Sequence, residues 1–360
     1  MTPPSVPGVA DQRIDQTVPL MTPALLHHEL PLPAGSAQRV IADRQAVVRV
    51  LNGVDDRLLV VVGPCSVHDP QAALAYAGRL REAAARLADD LLVVMRVYFE
   101  KPRTTVGWKG LIYDPTLDGA GDVNTGLRTA RSLLLRIVGL GLPVGCEFLD
   151  TITPQYIADT VSWGAIGART VESQVHRQLA SGMSMPVGMK NRPDGAIDPA
   201  VDAVVTAGGP HVFPGIAVSG LPAVLHTRGN EDCHLILRGG RGAPNYHAAA
   251  VAEALRRLAA AGLPERVLID ASHDNSGKDH ERQALVAVEV AAQVGAGQRG
   301  IRGVMLESFL EGGRQDPDPT RPLRYGQSIT DACLSWAQTE SVLAELASAS
   351  ATRRTAAAAV

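Results

Sequence analysis

LLVVVGPC, residues 58–65, is a short run of Leu and Val that leads to a cysteine, and the same pattern recurs along the chain. Runs of this kind, bounded by Gly, Pro or charge, are typical of parallel strands buried on both faces. Seven further runs each lead to a polar residue: LLVVMRV (91–97) to Arg96, PVGCEF (143–148) to Glu147, GAIGAR (164–169) to Arg169, PVGMK (186–190) to Lys190, HLILR (234–238) to Arg238, RVLIDASH (266–273) to His273 and IRGVMLE (301–307) to Glu307. Eight such strands with helix-length spacers predict an α/β fold, a (β/α)8 TIM barrel. Active sites of these barrels lie at the carboxyl ends of the strands, so the polar residues are candidates for one site.

Size and composition indicate the broad class of protein. The chain has 360 residues, 46% of them hydrophobic, which is enough for one large barrel with extensions. A formal net charge of −3 provides no bulk attraction to nucleic acid or to a membrane surface, so neither is expected as a partner. The four cysteines show no CxxC spacing, no secretion signal is recognisable, and no apolar stretch reaches the ~20 residues that span a bilayer. We expect a cytoplasmic protein with reduced thiols.

The chain divides into three predicted parts. Residues 1–50 form an N-terminal arm and helix, suited to contacts within an oligomer or to regulation. Residues 51–346 form the catalytic barrel, with a β-hairpin inserted near 209–230 before the sixth strand. Residues 347–360 are of low complexity and are expected to be disordered.

Cations cluster at the predicted strand ends. Those at or just past an end are Arg96, Lys101, Arg103, Arg169, Lys190 and Arg238. Arg suits a bidentate grip on carboxylate or phosphate, and Lys acts as a point charge. Several cations in one barrel mouth are unfavourable unless anions neutralise them, which predicts small dianionic ligands. The alternative, solvated surface charge, explains poorly why the cations follow hydrophobic runs.

A metal site is the second prediction from the residues. Cys65, His273, Glu307 and Asp331 offer a thiolate, an imidazole and two carboxylates near the ends of strands one, seven and eight and in the loop beyond. Mixed S, N and O ligands suit Mn²⁺, Fe²⁺, Co²⁺ or Zn²⁺. Each residue alone has a plain structural explanation, a buried cysteine or a helix-capping histidine, for example.

Longer strings carry a resemblance to a known family. The chain resembles the type I 3-deoxy-D-arabino-heptulosonate-7-phosphate (DAHP) synthases over roughly residues 11–345. The matching strings are DDRLLVVVGPCSVHDP (55–70), MRVYFEKPRTTVGWKGLIYDP (95–115), GCEFLDTITPQY (145–156), GAIGARTVESQVHRQLASGMSMPVGMKN (164–191), HLILRGGRGAPNY (234–246), IDASHDNSGKD (269–279), GVMLESFLEGGRQ (303–315) and YGQSITDAC (325–333). The resemblance implies a metal-dependent transferase on a (β/α)8 barrel that condenses phosphoenolpyruvate with erythrose 4-phosphate, the first step of the shikimate pathway to aromatic amino acids.

The resemblance also implies roles for individual residues. The metal ligands fall on Cys65, His273, Glu307 and Asp331, and the phosphoenolpyruvate contacts on Arg96, Lys101, Arg169, Lys190 and Arg238, with the backbone of Gly167-Ala168 near its phosphate. KPRT, comprising Lys101, Pro102, Arg103 and Thr104, matches the segment that holds erythrose 4-phosphate. Glu147 is included as a substrate-binding residue, and Lys101, Cys65 and His273 as catalytic residues.

Regulation and assembly are further expectations from the resemblance. Members of the family are often inhibited by an aromatic amino acid, in a cavity lined here by Asp150, Pro154, Gln155, Leu179, Ser184, Phe213 and Gly215. Phenylalanine-sensitive forms have Ser where Gly215 stands, so tyrosine is expected, because the missing side chain would leave room for a ring hydroxyl. A homodimer or homotetramer is expected.

Three alternatives compete with this interpretation. One is an enzyme of the 3-deoxy-octulosonate 8-phosphate synthase type, which uses arabinose 5-phosphate, although KPRT favours the four-carbon sugar. Another is a metal-dependent aldolase on the same barrel, which would not need two anion sites. The third is a catalytically silent, amino-acid-binding regulatory protein.

Overall fold

The computed structural model describes residues 11–103, 105, 107–318 and 320–358. Its strands are β1 (Leu58–Gly63), β2 (Leu91–Arg96), β3 (Val144–Glu147), β4 (Trp163–Ile166), β5 (Val187–Lys190), β6 (Val212–Ile216), β7 (Pro222–His226), β8 (His234–Leu237), β9 (Val267–Asp270) and β10 (Ile301–Glu307). Its α-helices are α1 (Pro23–Glu29), α2 (Ala34–Leu51), α3 (Pro70–Arg86), α4 (Val123–Gly139), α5 (Pro154–Ile157), α6 (Gln174–Ser181), α7 (Asp198–Gly208), α8 (Ala248–Ala260), α9 (His280–Gly295) and α10 (Trp336–Ala358). Within the described part of the chain, no helix combines the length and the apolar character needed to cross a membrane.

Eight parallel strands close into a barrel in the order β1-β10-β9-β8-β5-β4-β3-β2. Closure is made by β1, which pairs with β2 on one side (Val62 opposite Met95) and with β10 on the other (Val62 opposite Leu306). Each of the eight predicted apolar runs contributes one of these strands, so the predicted barrel is confirmed.

The interior of the barrel is filled by side chains. Leu59, Val61, Trp163 and Met305 form one buried cluster, and Val47 is among the residues of α2 that pack into the same cluster. Helix α2 therefore lies against the end of the barrel opposite the carboxyl ends of the strands. That end is filled with apolar side chains, so the polar residues that could form an active site lie at the other end.

The predicted hairpin is formed by β6 and β7, which pair antiparallel from Val212 opposite His226 to Ile216 opposite Pro222. Gly220 in the turn has a φ of +82°, a left-handed conformation that glycine adopts without a steric penalty. The hairpin lies between α7 and β8, the sixth strand of the barrel, as predicted. The N-terminal arm reaches it, because the Ala24 amide donates to the Val218 carbonyl over 2.8 Å.

The C-terminal tail differs from the prediction. Residues 347–360 were expected to be disordered, but α10 continues to Ala358. Ser350 and Arg353 on this helix are buried, and the Arg353 guanidinium donates to the carbonyls of Ile301 and Asp56. Low-complexity sequence was misleading here, because Ala and Arg are strong helix formers and the barrel supplies a surface for the helix to pack on.

Candidate active site

The predicted site residues meet in one cavity at the carboxyl ends of the strands, with a volume of about 500 Å³. All predicted substrate residues in the described part of the chain line it, from Arg96 on β2 to Arg238 after β8. Thr104 lies outside the described residues. His273, Glu307 and Asp331 line the cavity as well, and Cys65 is fully buried beside it.

The cavity carries an excess of positive charge. Its lining includes eight Arg and Lys residues and four Asp and Glu residues. Two of the eight, Arg241 and Lys278, were not predicted, because they lie in loops rather than at strand ends. An excess of four cations in a concave site favours anionic ligands that carry several negative charges.

Three of the four predicted metal donors converge. Ligand atoms of Cys65, Glu307 and Asp331 all lie within 4.8 Å of one another, and Cys65 Sγ is 3.2 Å from Asp331 Oδ2. His273 lies outside this group of three, with its Nε2 3.9 Å from Glu307 Oε1. One sulfur, one imidazole nitrogen and two carboxylates form a donor set suited to a transition-metal dication, so the residues present fit such an ion.

Neighbouring cations contact these donors. Lys101 Nζ lies 3.0 Å from Cys65 Sγ and 3.4 Å from Asp331 Oδ2. The positive charge of Lys101 holds the pKa of Asp331 far below its usual range. Burial, with the Glu307 carboxylate beside it, raises the pKa of the Cys65 thiol to about 12. Because only the thiolate binds a metal ion, binding at Cys65 is expected to release a proton.

Arg96 occupies the centre of the cation group. It is 1% exposed, and its Nη2 donates to Glu307 Oε1 over 2.8 Å. The guanidinium lies over the ring of Tyr98, with the carbon 3.7 Å from the ring centroid. Its Nη1 is buried and has no hydrogen-bond partner among the described residues. An unpaired buried guanidinium nitrogen is costly, and a ligand oxygen would satisfy it.

A second buried pair lies next to Arg96. Lys190 Nζ donates to Glu147 Oε2 over 2.9 Å and lies 3.6 Å from Asp270 Oδ2. Burial would raise the pKa of Glu147, but Lys190 and Arg96 lower it to about 2. Glu147 is therefore ionised near neutral pH. Asp270 stands in the RVLIDASH string but was not among the predicted residues. Only one functional residue, His273, was assigned to that strand end.

The remaining predicted cations differ in their pairing. Arg238 forms an ion pair with Asp274 and is almost completely buried. Arg169 is exposed, and no ion pair with a described residue fixes its guanidinium. Arg103 Nε donates to the Trp108 carbonyl over 2.8 Å, which folds the segment after β2 back on itself.

The predicted effector residues are only partly brought together. Pro154, Gln155 and Ser184 line a cavity of about 400 Å³, together with residues of α1 and α2 such as His27 and Arg44. Asp150, Leu179, Phe213 and Gly215 do not line this cavity.

The free space expected beside Gly215 for the ring hydroxyl of tyrosine is absent, because Leu225 Cδ1 lies 2.6 Å from the point that a Cβ would occupy there. The cross-strand leucine fills the room that the absent side chain leaves.

Comparison with known proteins agrees with this geometry. The model of the DAHP synthetase I family matches residues 34–344. The Phe-sensitive phospho-2-dehydro-3-deoxyheptonate aldolase of Escherichia coli (strain K12) is 53% identical over 344 residues, which are 96% of this chain and 98% of that protein. The tyrosine-inhibited enzyme of Schizosaccharomyces pombe is 48% identical over 349 residues, or 96% of this chain and 94% of that protein. The solved structure of the enzyme from Francisella tularensis SCHU S4 superposes with a TM-score of 0.93 at 47% identity, covering 94% of this chain and 99% of that chain.

The expected fold and the expected enzyme class are thereby confirmed, and the chain belongs to the DAHP synthetase I family.

Proposed function

We propose that this enzyme condenses phosphoenolpyruvate with D-erythrose 4-phosphate and releases inorganic phosphate, as a 3-deoxy-7-phosphoheptulonate synthase. The observation that carries the proposal is the single cavity in which an excess of four cations adjoins a thiol, an imidazole and two carboxylates. Two phosphorylated anions would offset that excess, and the donor group accounts for a metal-dependent carbonyl reaction.

In this proposal phosphoenolpyruvate binds against the inner part of the cavity. Arg96, Lys190 and Arg238 are buried there, and Nη1 of Arg96, which has no hydrogen-bond partner among the described residues, would donate to a carboxylate or phosphate oxygen. Arg169, which has no ion-pair partner among the described residues, would close over the phosphate with the backbone of Gly167-Ala168.

In this proposal the sugar phosphate binds against the described residues Lys101, Pro102 and Arg103. Arg103 is exposed at the rim, and Lys101 stands between this segment and Cys65. Lys101 is thus located to contact both substrates. Holding two anions at adjacent positions replaces a bimolecular encounter by a fixed geometry.

Cys65, His273, Glu307 and Asp331 would hold one divalent ion, Mn²⁺, Fe²⁺, Co²⁺ or Zn²⁺. When bound there, the ion supplies Lewis-acid polarisation of the aldehyde carbonyl. In the reaction, C3 of phosphoenolpyruvate attacks the aldehyde carbon, water adds at C2, and phosphate leaves by cleavage of a C–O bond. The ionised Glu147 carboxylate lies on the phosphoenolpyruvate side, where positive character develops at C2.

Replacement of Lys101 tests the proposal. Lys101→Met should lower kcat/KM by about 10²-fold or more, because a positioned cation is lost between the two anions. The measurement is release of phosphate from phosphoenolpyruvate that depends on erythrose 4-phosphate, with bound metal determined on the same sample. We expect the variant to retain its metal.

Lys109→Met is the matched control, because Lys109 is an exposed lysine of the same segment. It should stay within about twofold of the unchanged enzyme. Full activity of Lys101→Met would contradict the role of Lys101. Faster turnover with arabinose 5-phosphate would favour the octulosonate alternative, and no turnover of the unchanged protein with either sugar would favour a regulatory protein.

An aromatic amino acid is proposed as effector, bound in the cavity between α1, α2 and α5. Relatives of this chain are named as Phe-sensitive, Trp-sensitive and tyrosine-inhibited. The cavity is lined by Ser184, Pro154 and the arm, and its volume of about 400 Å³ suits a small molecule. We also propose that the enzyme assembles as a homodimer or a homotetramer.

Filling that cavity tests the effector site. Ser184→Leu should raise the concentration of amino acid needed for half-inhibition by about tenfold or more, while kcat stays near that of the unchanged enzyme. Phenylalanine, tyrosine and tryptophan are each assayed alone. Ser348→Leu, at an exposed position of α10, is the control. If none of the three inhibits the unchanged enzyme, the effector proposal is wrong.

A further inference from the structure

We infer that Asp270 and Ser272 are positioning residues for His273: together they fix the tautomer of its imidazole and direct the Nε2 lone pair toward Cys65, Glu307 and Asp331. The inference rests on the metal role proposed above for His273. It adds two residues that act on that ligand from the side opposite the donors.

The hydrogen bonds around Nδ1 determine where the proton lies. Ser272 Oγ donates its one hydrogen to Asp270 Oδ1 over 2.5 Å. Ser272 Oγ is also 2.7 Å from His273 Nδ1, and with its hydrogen already used it can only accept there. His273 Nδ1 must therefore carry the hydrogen, and in the neutral ring Nε2 is then the atom with the lone pair.

The Asp270 carboxylate reinforces this arrangement. Its Oδ2 lies 3.0 Å from His273 Nδ1 without forming a hydrogen bond there, so its negative charge acts electrostatically on the ring nitrogen that Ser272 contacts. Asp270 is completely buried, and the Ser272 amide donates to Oδ1 over 3.0 Å. A carboxylate behind a metal-binding histidine fixes the ring and raises the basicity of the coordinating nitrogen.

The backbone of His273 has an unusual conformation, which also helps to orient the imidazole. Its φ is +57°, in the left-handed region that is sterically unfavourable for a non-glycine residue. The Lys278 amide donates to the His273 carbonyl over 2.6 Å and stabilises that turn. The result places Nε2 3.9 Å from Glu307 Oε1, facing the donors.

Asp270 and Ser272 differ in one useful respect. The Ser272 hydroxyl contacts His273 and Asp270, whereas Asp270 Oδ2 itself lies 3.6 Å from Lys190 Nζ. Loss of the Ser272 hydroxyl should therefore affect His273 more than Lys190. Loss of the Asp270 charge should affect both His273 and the phosphoenolpyruvate site.

The experiment uses full-length protein with ¹⁵N-labelled histidine, prepared metal-free and held at about pH 8, where an ordinary histidine is neutral. The His273 signals are assigned by their absence in His273→Gln. Nitrogen chemical shifts then show which ring nitrogen carries the hydrogen. On the same variants, Mn²⁺ affinity is measured by competition with a chelator, and the KM for phosphoenolpyruvate is measured with Mn²⁺ in excess.

We expect the Nδ1–H tautomer in the unchanged protein. Asp270→Asn places a donating amide beside Nδ1, so the ring should move toward the Nε2–H tautomer, and Mn²⁺ affinity should fall by about 10- to 100-fold. Ser272→Ala should lower the affinity less, and it should change the KM for phosphoenolpyruvate less than Asp270→Asn does.

Ser162→Ala is the control, because Ser162 is fully buried, its hydroxyl has no partner among the described residues, and it precedes β4 at the opposite end of the barrel. An Nε2–H tautomer in the unchanged protein would overturn the inference, as would variants with unaltered tautomer and affinity. If Asp270→Asn fails to fold, Ser272→Ala alone decides the question. A changed tautomer with unchanged Mn²⁺ affinity would support the positioning role and contradict His273 as a ligand, which separates the two proposals.

Discussion

Buried charged side chains at the carboxyl end of the barrel are paired with one another. Arg96 lies 2.8 Å from Glu307, and Lys190 lies 2.9 Å from Glu147. Burying a charge is expensive, and an opposite charge offsets only part of that cost. These groups can therefore bind anions and a metal ion, because an incoming ligand replaces one charged partner of each group with another.

His234 shows how burial alone controls a titratable residue. Its Nε2 accepts from Trp163 Nε1 over 3.2 Å inside the barrel, and its Nδ1 contacts the Asp232 carbonyl. Burial lowers the pKa of His234 from 6.5 to about 3. The unfolded chain takes up a proton below about pH 6.5 and the folded chain does not until about pH 3. The free energy of unfolding should therefore fall by about 1.4 kcal/mol per pH unit as the pH drops through that window, and be independent of this group above it.

Urea unfolding of the unchanged protein and of His234→Gln at several pH values between 4 and 7.5 measures this effect. The variant should show a shallower loss of stability toward acid, by up to that slope. Ser162→Ala, a buried substitution that removes no titratable group, is the control and should leave the slope unaltered. Equal slopes for His234→Gln and the unchanged protein would contradict the assignment.

Helix α10 is the element that the sequence did not predict in full, and one arginine explains much of its attachment. Arg353 is 6% exposed, and its Nη2 donates to the Asp56 carbonyl over 2.8 Å, next to the start of β1. Its Nη1 donates to the Ile301 carbonyl over 3.3 Å, at the start of β10. The helix is thereby joined to the two strands that close the barrel.

Arg353→Met should lower the free energy of unfolding by about 1–3 kcal/mol, because buried carbonyls lose their donors while the apolar stem is kept. The midpoint of urea unfolding is the measurement. Arg81→Met, at an exposed position of α3, should change the value by no more than about 0.5 kcal/mol. A change of that small size for Arg353→Met would show that the tail is not held by these hydrogen bonds.

At the scale of the whole molecule, the two ends of the barrel have different tasks. The amino end is filled by Trp163, His234 and the apolar face of α2, and the carboxyl end carries the charged cavity. The arm and the inserted hairpin meet beside the barrel, through the Ala24 and Val218 backbone. The proposed effector cavity is thus separate from the proposed catalytic cavity, as an allosteric enzyme requires.

The sequence by itself determined the barrel and predicted many of the residues that line its cavity. Period, length and bounding residues identify buried parallel strands, and closure of a barrel brings every strand end to one rim, so Lys190 and Glu307 could be placed in one cavity without coordinates. The KPRT and YGQSITDAC strings added Lys101 and Asp331, residues in loops that periodicity does not reach.

Only the tertiary structure decided which neighbours each side chain meets. The contact of Asp270 with Lys190 and the burial of Arg353 depend on segments far apart in the chain. The contact of Asp270 with His273 and the filling of the space at Gly215 by Leu225 depend on the local backbone conformation, which the pattern of residues does not give. The repeating pattern of apolar residues shows which positions of an element are buried, because buried positions recur with the period of that element. Pairing and tautomer depend instead on differences of about 1 Å between side chains, which packing fixes and composition does not.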